Sequence, residues 1–129
     1  MKPRRGVKQM LAEANAQIDT LSVHDGVPLV EDPDVIFVDI REREERRQGT
    51  IPGSVHAPRS FLEFQADPES DAHNRVFSSG RRLILFCRSG GRSALATKLL
   101  MDMGIPNVVH IAGGFAAWEA AGAPVVPGE

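Results

Sequence analysis

The sequence predicts an α/β fold of three layers, a mostly parallel sheet flanked by helices on both faces. Three observations point there. Short, continuous apolar runs (Val35-Ile36-Phe37-Val38, Leu83-Ile84-Leu85-Phe86 and Val108-Val109-His110-Ile111) read as strands buried on both faces. Segments with helical periodicity alternate with them. Glycine- and proline-rich turns separate the two kinds of element.

In chain order, Val7, Met10, Leu11, Ala14, Ile18 and Leu21 recur at helical spacing, which predicts an amphipathic helix over residues 1–20 packing on a domain that spans 21–126. The stretch from Ser22 to Val30 is ambiguous, because Gly26 and Pro28 weaken a helix there. Val35 to Val38 is the first strand. Arg41 to Gln48 favours helix and stops at Gly49, with Glu42 to Arg47 expected as a solvated face. Ile51-Pro52-Gly53 is a turn before a short strand, Ser54 to Ala57. Gln65 to Gly80 is polar and expected to be irregular. Leu83 to Phe86 is a strand, and Ser93 to Met103 is a helix carrying Leu95, Leu99, Leu100 and Met103. Val108 to Ile111 is another strand, and Gly113-Gly114 leads into a helix bearing Phe115 and Trp118, closed by Gly122 and Pro124.

The 129 residues suit one domain, with 42% apolar and 25% charged residues. A net charge of -2 provides no field for nucleic acid or an anionic membrane, and one Trp with no Tyr offers no base-stacking surface. Met1-Lys2-Pro3-Arg4-Arg5 is basic, but Lys8, Gln9 and Glu13 interrupt any apolar run after it, so a cytoplasmic location is expected. The single cysteine excludes an internal disulfide. His24, His56, His73 and His110 show no ligand spacing and none adjoins Cys87, so neither a metal nor a cofactor is expected.

In a parallel sheet, loops at the carboxyl ends of the strands share one edge, where ligands bind. Asp39 to Arg41, Pro58 to Phe61, Cys87 to Ser93 and Ala112 to Gly114 should therefore surround one site. Cys87-Arg88-Ser89-Gly90-Gly91-Arg92-Ser93 runs from a buried strand into a helix. Its glycines let backbone N–H groups turn inward around an anion, and the helix N-terminus points at the same spot. A thiol of pKa ~8.5 must fall by ~2 units, about 2.7 kcal/mol, to be mostly thiolate near neutrality. The helix terminus contributes up to ~2 kcal/mol, and a guanidinium of Arg88 or Arg92 the rest. Cys87 is the candidate nucleophile, and Arg88, Ser89, Gly90, Gly91, Arg92 and Ser93 the candidate binding loop.

Four motifs in order resemble the rhodanese family of sulfurtransferases: Val38-Asp39-Ile40-Arg41-Glu42 with Glu45; Gly49 to Ser54 through Pro58; Cys87 to Ser93; and Gly113 to Trp118 with Ala121 to Pro124. The resemblance spans Leu21 to Pro124, and Thr50 departs from it where the family commonly has His. It implies a rhodanese-like domain with about five strands. It also implies that Cys87 takes the outer sulfur of a small anionic donor such as thiosulfate. The resulting persulfide then passes that sulfur to cyanide, a thiol or a protein acceptor. Arg88 suits a dianionic donor on charge grounds.

Competing readings apply to several residues. Asp39 and Arg41 are more simply a cap and an ion pair than supports of the site. Arg59 and Phe61 either pack in the core or wall the loop. A cysteine phosphatase or arsenate reductase would need Cys-x5-Arg, but that position holds Ser93. A sulfur-relay module acting with a protein partner differs from a free-standing enzyme only in that partner.

Overall fold

The computed structural model describes residues 1–129. Five strands form one parallel sheet: β1 (Asp19–Leu21), β2 (Val35–Asp39), β3 (Val55–His56), β4 (Arg82–Phe86) and β5 (Val108–Ile111). Their order across the sheet is β1-β5-β4-β2-β3, every pairing being parallel. The helices are α1 (Val7–Gln17), α2 (Val23–Gly26), α3 (Arg43–Arg47), α4 (Leu62–Ala66), α5 (Gly91–Asp102) and α6 (Gly114–Ala120). None is long and apolar enough to cross a membrane.

Strand alternation divides the core in two. Ile36, Val38, Leu83, Leu85, Cys87 and Val108 face Ala96 and Leu100 of α5 and Leu62 and Ala66 of α4. Phe37, Ile84, Phe86, Val109 and Ile111 face Phe115 and Trp118 of α6. At about 25 cal/mol per Å² of apolar area buried, these two faces are the main favourable contribution to folding.

The three long strands fall where the apolar runs place them. The N-terminal helix does not reach residue 20. It ends at Gln17, and Asp19–Leu21 pairs with β5 as an edge strand. Ile18 and Leu21 continue the helical spacing by coincidence, since a three-residue strand is too short to show a period of two. Ser22 to Val30 resolves into α2, capped by Ser22 Oγ accepting from the Asp25 N–H, and a 3-10 turn with Pro28 in its first turn. Gln65 to Gly80 is not irregular throughout. A 3-10 turn at Arg75–Ser78 drops Phe77 into the core.

Candidate active site

Cys87 follows the last residue of β4 and is 1% exposed. Its Sγ accepts backbone N–H bonds from Gly90 at 3.1 Å and Ser93 at 3.4 Å, and Ser93 Oγ lies 3.5 Å away. Gly90 makes this turn because its φ of +101° is open to glycine and rarely to other residues. The loop is braced from behind by the first turn of α6. The Phe115 and Ala116 N–H groups donate to the carbonyls of Cys87 (2.7 Å) and Arg88 (2.9 Å). Backbones approach so closely here that a Cβ on Gly114 would lie 2.5 Å from the Cys87 carbonyl oxygen.

Burial pushes the Cys87 thiol up, but the Ser93 hydroxyl and the N–H groups of Ser93, Gly90 and Ser89 outweigh it, and the net shift is down. The direction agrees with the sequence reading, but the cause differs. Hydrogen bonds aimed at the sulfur lower the pKa, and the loop arginines are not among its main causes. Arg92 is held aside by a two-pronged ion pair with Glu45. Arg88 is exposed and makes no ion pair. It lines a cleft of about 120 Å³ with Arg41, Glu45, Gln48, Phe115 and Glu119. A wider cleft of about 550 Å³ lies at the opposite end of the sheet, where Asp19, Arg82 and Val108 begin their strands, and holds no nucleophile.

Asp39 and Arg41 form the buried ion pair expected of them. Asp39 Oδ1 accepts from the Arg41 backbone N–H (3.1 Å) and from Nε (2.9 Å), and Oδ2 accepts from Nη2 (2.9 Å). The Arg41 guanidinium also lies 4.3 Å from the Phe115 ring centre, between α6 and the end of β2. Arg46, expected on a solvated face, is instead buried. Its guanidinium donates to Asp39 Oδ2, Thr50 Oγ1, Ser54 Oγ and the Ser54 carbonyl. Thr50 closes the network by donating to Asp39 Oδ2 at 2.9 Å. Periodicity misses Arg46 because α3 has only five residues, too few to show which face is buried.

Arg59 pairs with Glu63 and shares a separate cleft with Arg92, Leu95 and Leu99. Phe61 does not join the core. It is 57% exposed, next to Phe64 at 58%, while Leu62 between them is buried.

Sequence reasoning passed over His110. Its Nδ1 lies 2.9 Å from Ser93 Oγ and its Nε2 3.1 Å from Thr20 Oγ1. A polar residue in the otherwise apolar run of β5 was the available signal, and strand alternation puts it on the Cys87 face.

A buried free cysteine, ringed by N–H donors at the carboxyl end of a central parallel strand, defines the class: a parallel α/β protein with a thiol held in a strand-to-helix loop. The chain belongs to the rhodanese-like domain family, whose description matches residues 23–121. It is 33% identical over 101 residues to a sulfurtransferase of Allochromatium vinosum, covering 78% of this chain and 87% of that one. It is 34% identical over 86 residues to a human thiosulfate:glutathione sulfurtransferase, covering 62% and 75%. A solved Rhodopseudomonas palustris protein of unknown function, described as a possible tyrosine phosphatase, matches with a TM-score of 0.93, 44% identity and 98% of both chains.

Proposed function

We propose that the protein transfers sulfane sulfur from thiosulfate, or a donor of similar charge, to a thiol or cyanide through a persulfide on Cys87. The observation that carries this reading is the convergence of the Gly90 and Ser93 N–H groups and the Ser93 hydroxyl on the Cys87 sulfur. The thiolate attacks the outer sulfur of the donor, sulfite leaves with the electron pair of the broken S–S bond, and the anionic persulfide stays in the same cradle. A thiolate or cyanide then attacks the outer persulfide sulfur and returns Cys87 to thiolate. With one cysteine in the chain, the acceptor comes from outside it. The relative named thiosulfate:glutathione sulfurtransferase supports this pairing of donor and acceptor.

The phosphatase description of the Rhodopseudomonas palustris protein suggests a different reaction. This loop supports it poorly. Only four residues separate Cys87 from Arg92, and Arg92 is tied to Glu45. One residue fewer removes at most ~3.5 Å of chain, which narrows a phosphate cradle towards the size of a sulfur atom.

The test is mass spectrometry of the protein after thiosulfate. Gain of one sulfur atom, reversed by cyanide and absent in Cys87→Ser, is expected. No adduct, together with phosphate release from an aryl phosphate, would overturn the reading.

A further inference from the structure

The hydrogen bonds at Cys87 continue beyond Ser93. Ser93 Oγ sits 3.5 Å from Cys87 Sγ and 2.9 Å from His110 Nδ1, and His110 Nε2 sits 3.1 Å from Thr20 Oγ1. Ser93 has one hydroxyl proton. If His110 Nδ1 were bare, that proton would go to the nitrogen by the shortest contact, and the sulfur would face an oxygen lone pair. If Nδ1 carries hydrogen, Ser93 accepts from the ring and its own proton is left to the sulfur or to the Gly90 carbonyl at 3.4 Å, of which an ionised sulfur is the stronger acceptor. His110 Nε2 is then an acceptor, and the Thr20 hydroxyl is the donor that satisfies it.

We propose that His110, neutral and protonated on Nδ1, is a positioning residue that turns the Ser93 hydroxyl proton onto the Cys87 sulfur, and that Thr20 completes this chain at the solvent. The inference rests on the proposed role of Cys87 as a nucleophilic thiolate. With the sulfur ionised, every donor in the chain points towards it: Thr20 to Nε2, Nδ1–H to Ser93, Ser93 to sulfur. With the sulfur protonated, every bond reverses. The two states differ by one proton, which passes to water at exposed Thr20, so a sulfur that is 1% exposed exchanges protons without using the anion-binding mouth.

The surroundings keep the ring neutral. Its strand partners are Thr20 on β1 and Leu85 on β4. On α5, Arg92 and Lys98 pair away with Glu45 and Asp102, and Glu119 of α6 lines the Arg88 cleft. Burial lowers the His110 pKa and no neighbouring charge raises it.

The experiment is iodoacetamide alkylation of the full chain against pH. In His110→Leu the ionisation midpoint of Cys87 should rise by about half to one unit, a three- to tenfold loss of thiolate below the midpoint. His110→Asn, whose amide N–H can stand in for Nδ1–H, should stay near wild type. Adding His110→Leu to Ser93→Ala should change nothing further. An unmoved midpoint in His110→Leu, an equal shift in His110→Asn, or a shift that persists without Ser93 would each overturn the proposal. Should His110→Leu not fold, Thr20→Val at the exposed edge decides: a smaller rise supports the chain, and an unchanged midpoint overturns it. Alkylation needs no sulfur donor, so this result is separate from the thiosulfate adduct.

Discussion

Glu45 on α3 holds Arg92 on α5 through two parallel N–H···O bonds of 2.8 and 2.9 Å, and so fixes which loop arginine is free. Arg92 is committed to this pair, and Arg88 is left to face the cleft. The same contact ties the strand–helix loop carrying Cys87 to the helix that follows β2.

The pair gives a pH-dependent contribution to stability. Hydrogen bonds from Arg92, helped by the Glu42 N–H, hold the Glu45 carboxyl down from its usual 4.5 to about 2. A depressed acid stabilises the fold fully above its unfolded pKa, and that contribution is lost as pH falls towards the folded value. The contribution is about 0.5–1 kcal/mol, because solvent screens the partly open pair. Thermal melting of wild type and Glu45→Gln should differ by a constant gap above about pH 5, closing as pH drops towards 2. A gap unchanged at pH 3 would contradict the assignment.

Gly114→Ala should damage the site from behind. Its φ of +62° and the 2.5 Å approach to the Cys87 carbonyl leave no space for a methyl group. The backbone of the loop must yield, at a cost of about 1–3 kcal/mol. Lower thermal stability together with slower Cys87 alkylation is expected. Alanine at Gly53, also at positive φ but with open space around it, should leave alkylation unchanged.

Asp39→Asn should be among the more damaging polar substitutions. Asp39 carries the one carboxylate in ion-pair contact with the buried guanidiniums of Arg41 and Arg46. Removing its charge leaves two buried cations uncompensated, which costs about 3–5 kcal/mol. Thr50→Val removes one hydroxyl and leaves both ion pairs in place, so it should cost about 1–3 kcal/mol. Denaturant unfolding orders the two, and equal losses would show that charge compensation is not what holds this network together.

Much of this was legible in the sequence. The long strands are apolar runs, and the Gly90-Gly91 pair where β4 passes into α5 announces a loop that turns N–H groups inward. The pairings that span elements were not legible. Arg46 lies in a charged stretch that looks solvated until its guanidinium is seen bonded to Asp39. His110 is 23 residues from Cys87, and only the parallel register of β4, β5 and β1 brings its ring between Ser93 and Thr20. Local pattern reports what one element buries, but it does not say which elements are neighbours.

Arg88 should select donors by charge. It is exposed at the cleft beside the loop, without a carboxylate partner, while Glu119 lines the same cleft. Thiosulfate brings two negative charges, whereas mercaptopyruvate brings one carboxylate and a neutral ketone. A charge-assisted contact is worth about 1.5–3 kcal/mol, or roughly ten- to a hundredfold in kcat/KM. Solvent at the mouth argues for the lower half of that range, and salt should shrink it further. Arg88→Ala, assayed with both donors at two ionic strengths, should lose more with thiosulfate, and the difference should narrow at high salt. Glu119→Gln should act oppositely and raise kcat/KM for thiosulfate at low salt, because it removes a like charge from the approach. Equal losses with both donors in Arg88→Ala would mean that Arg88 shapes the loop without reading the ligand.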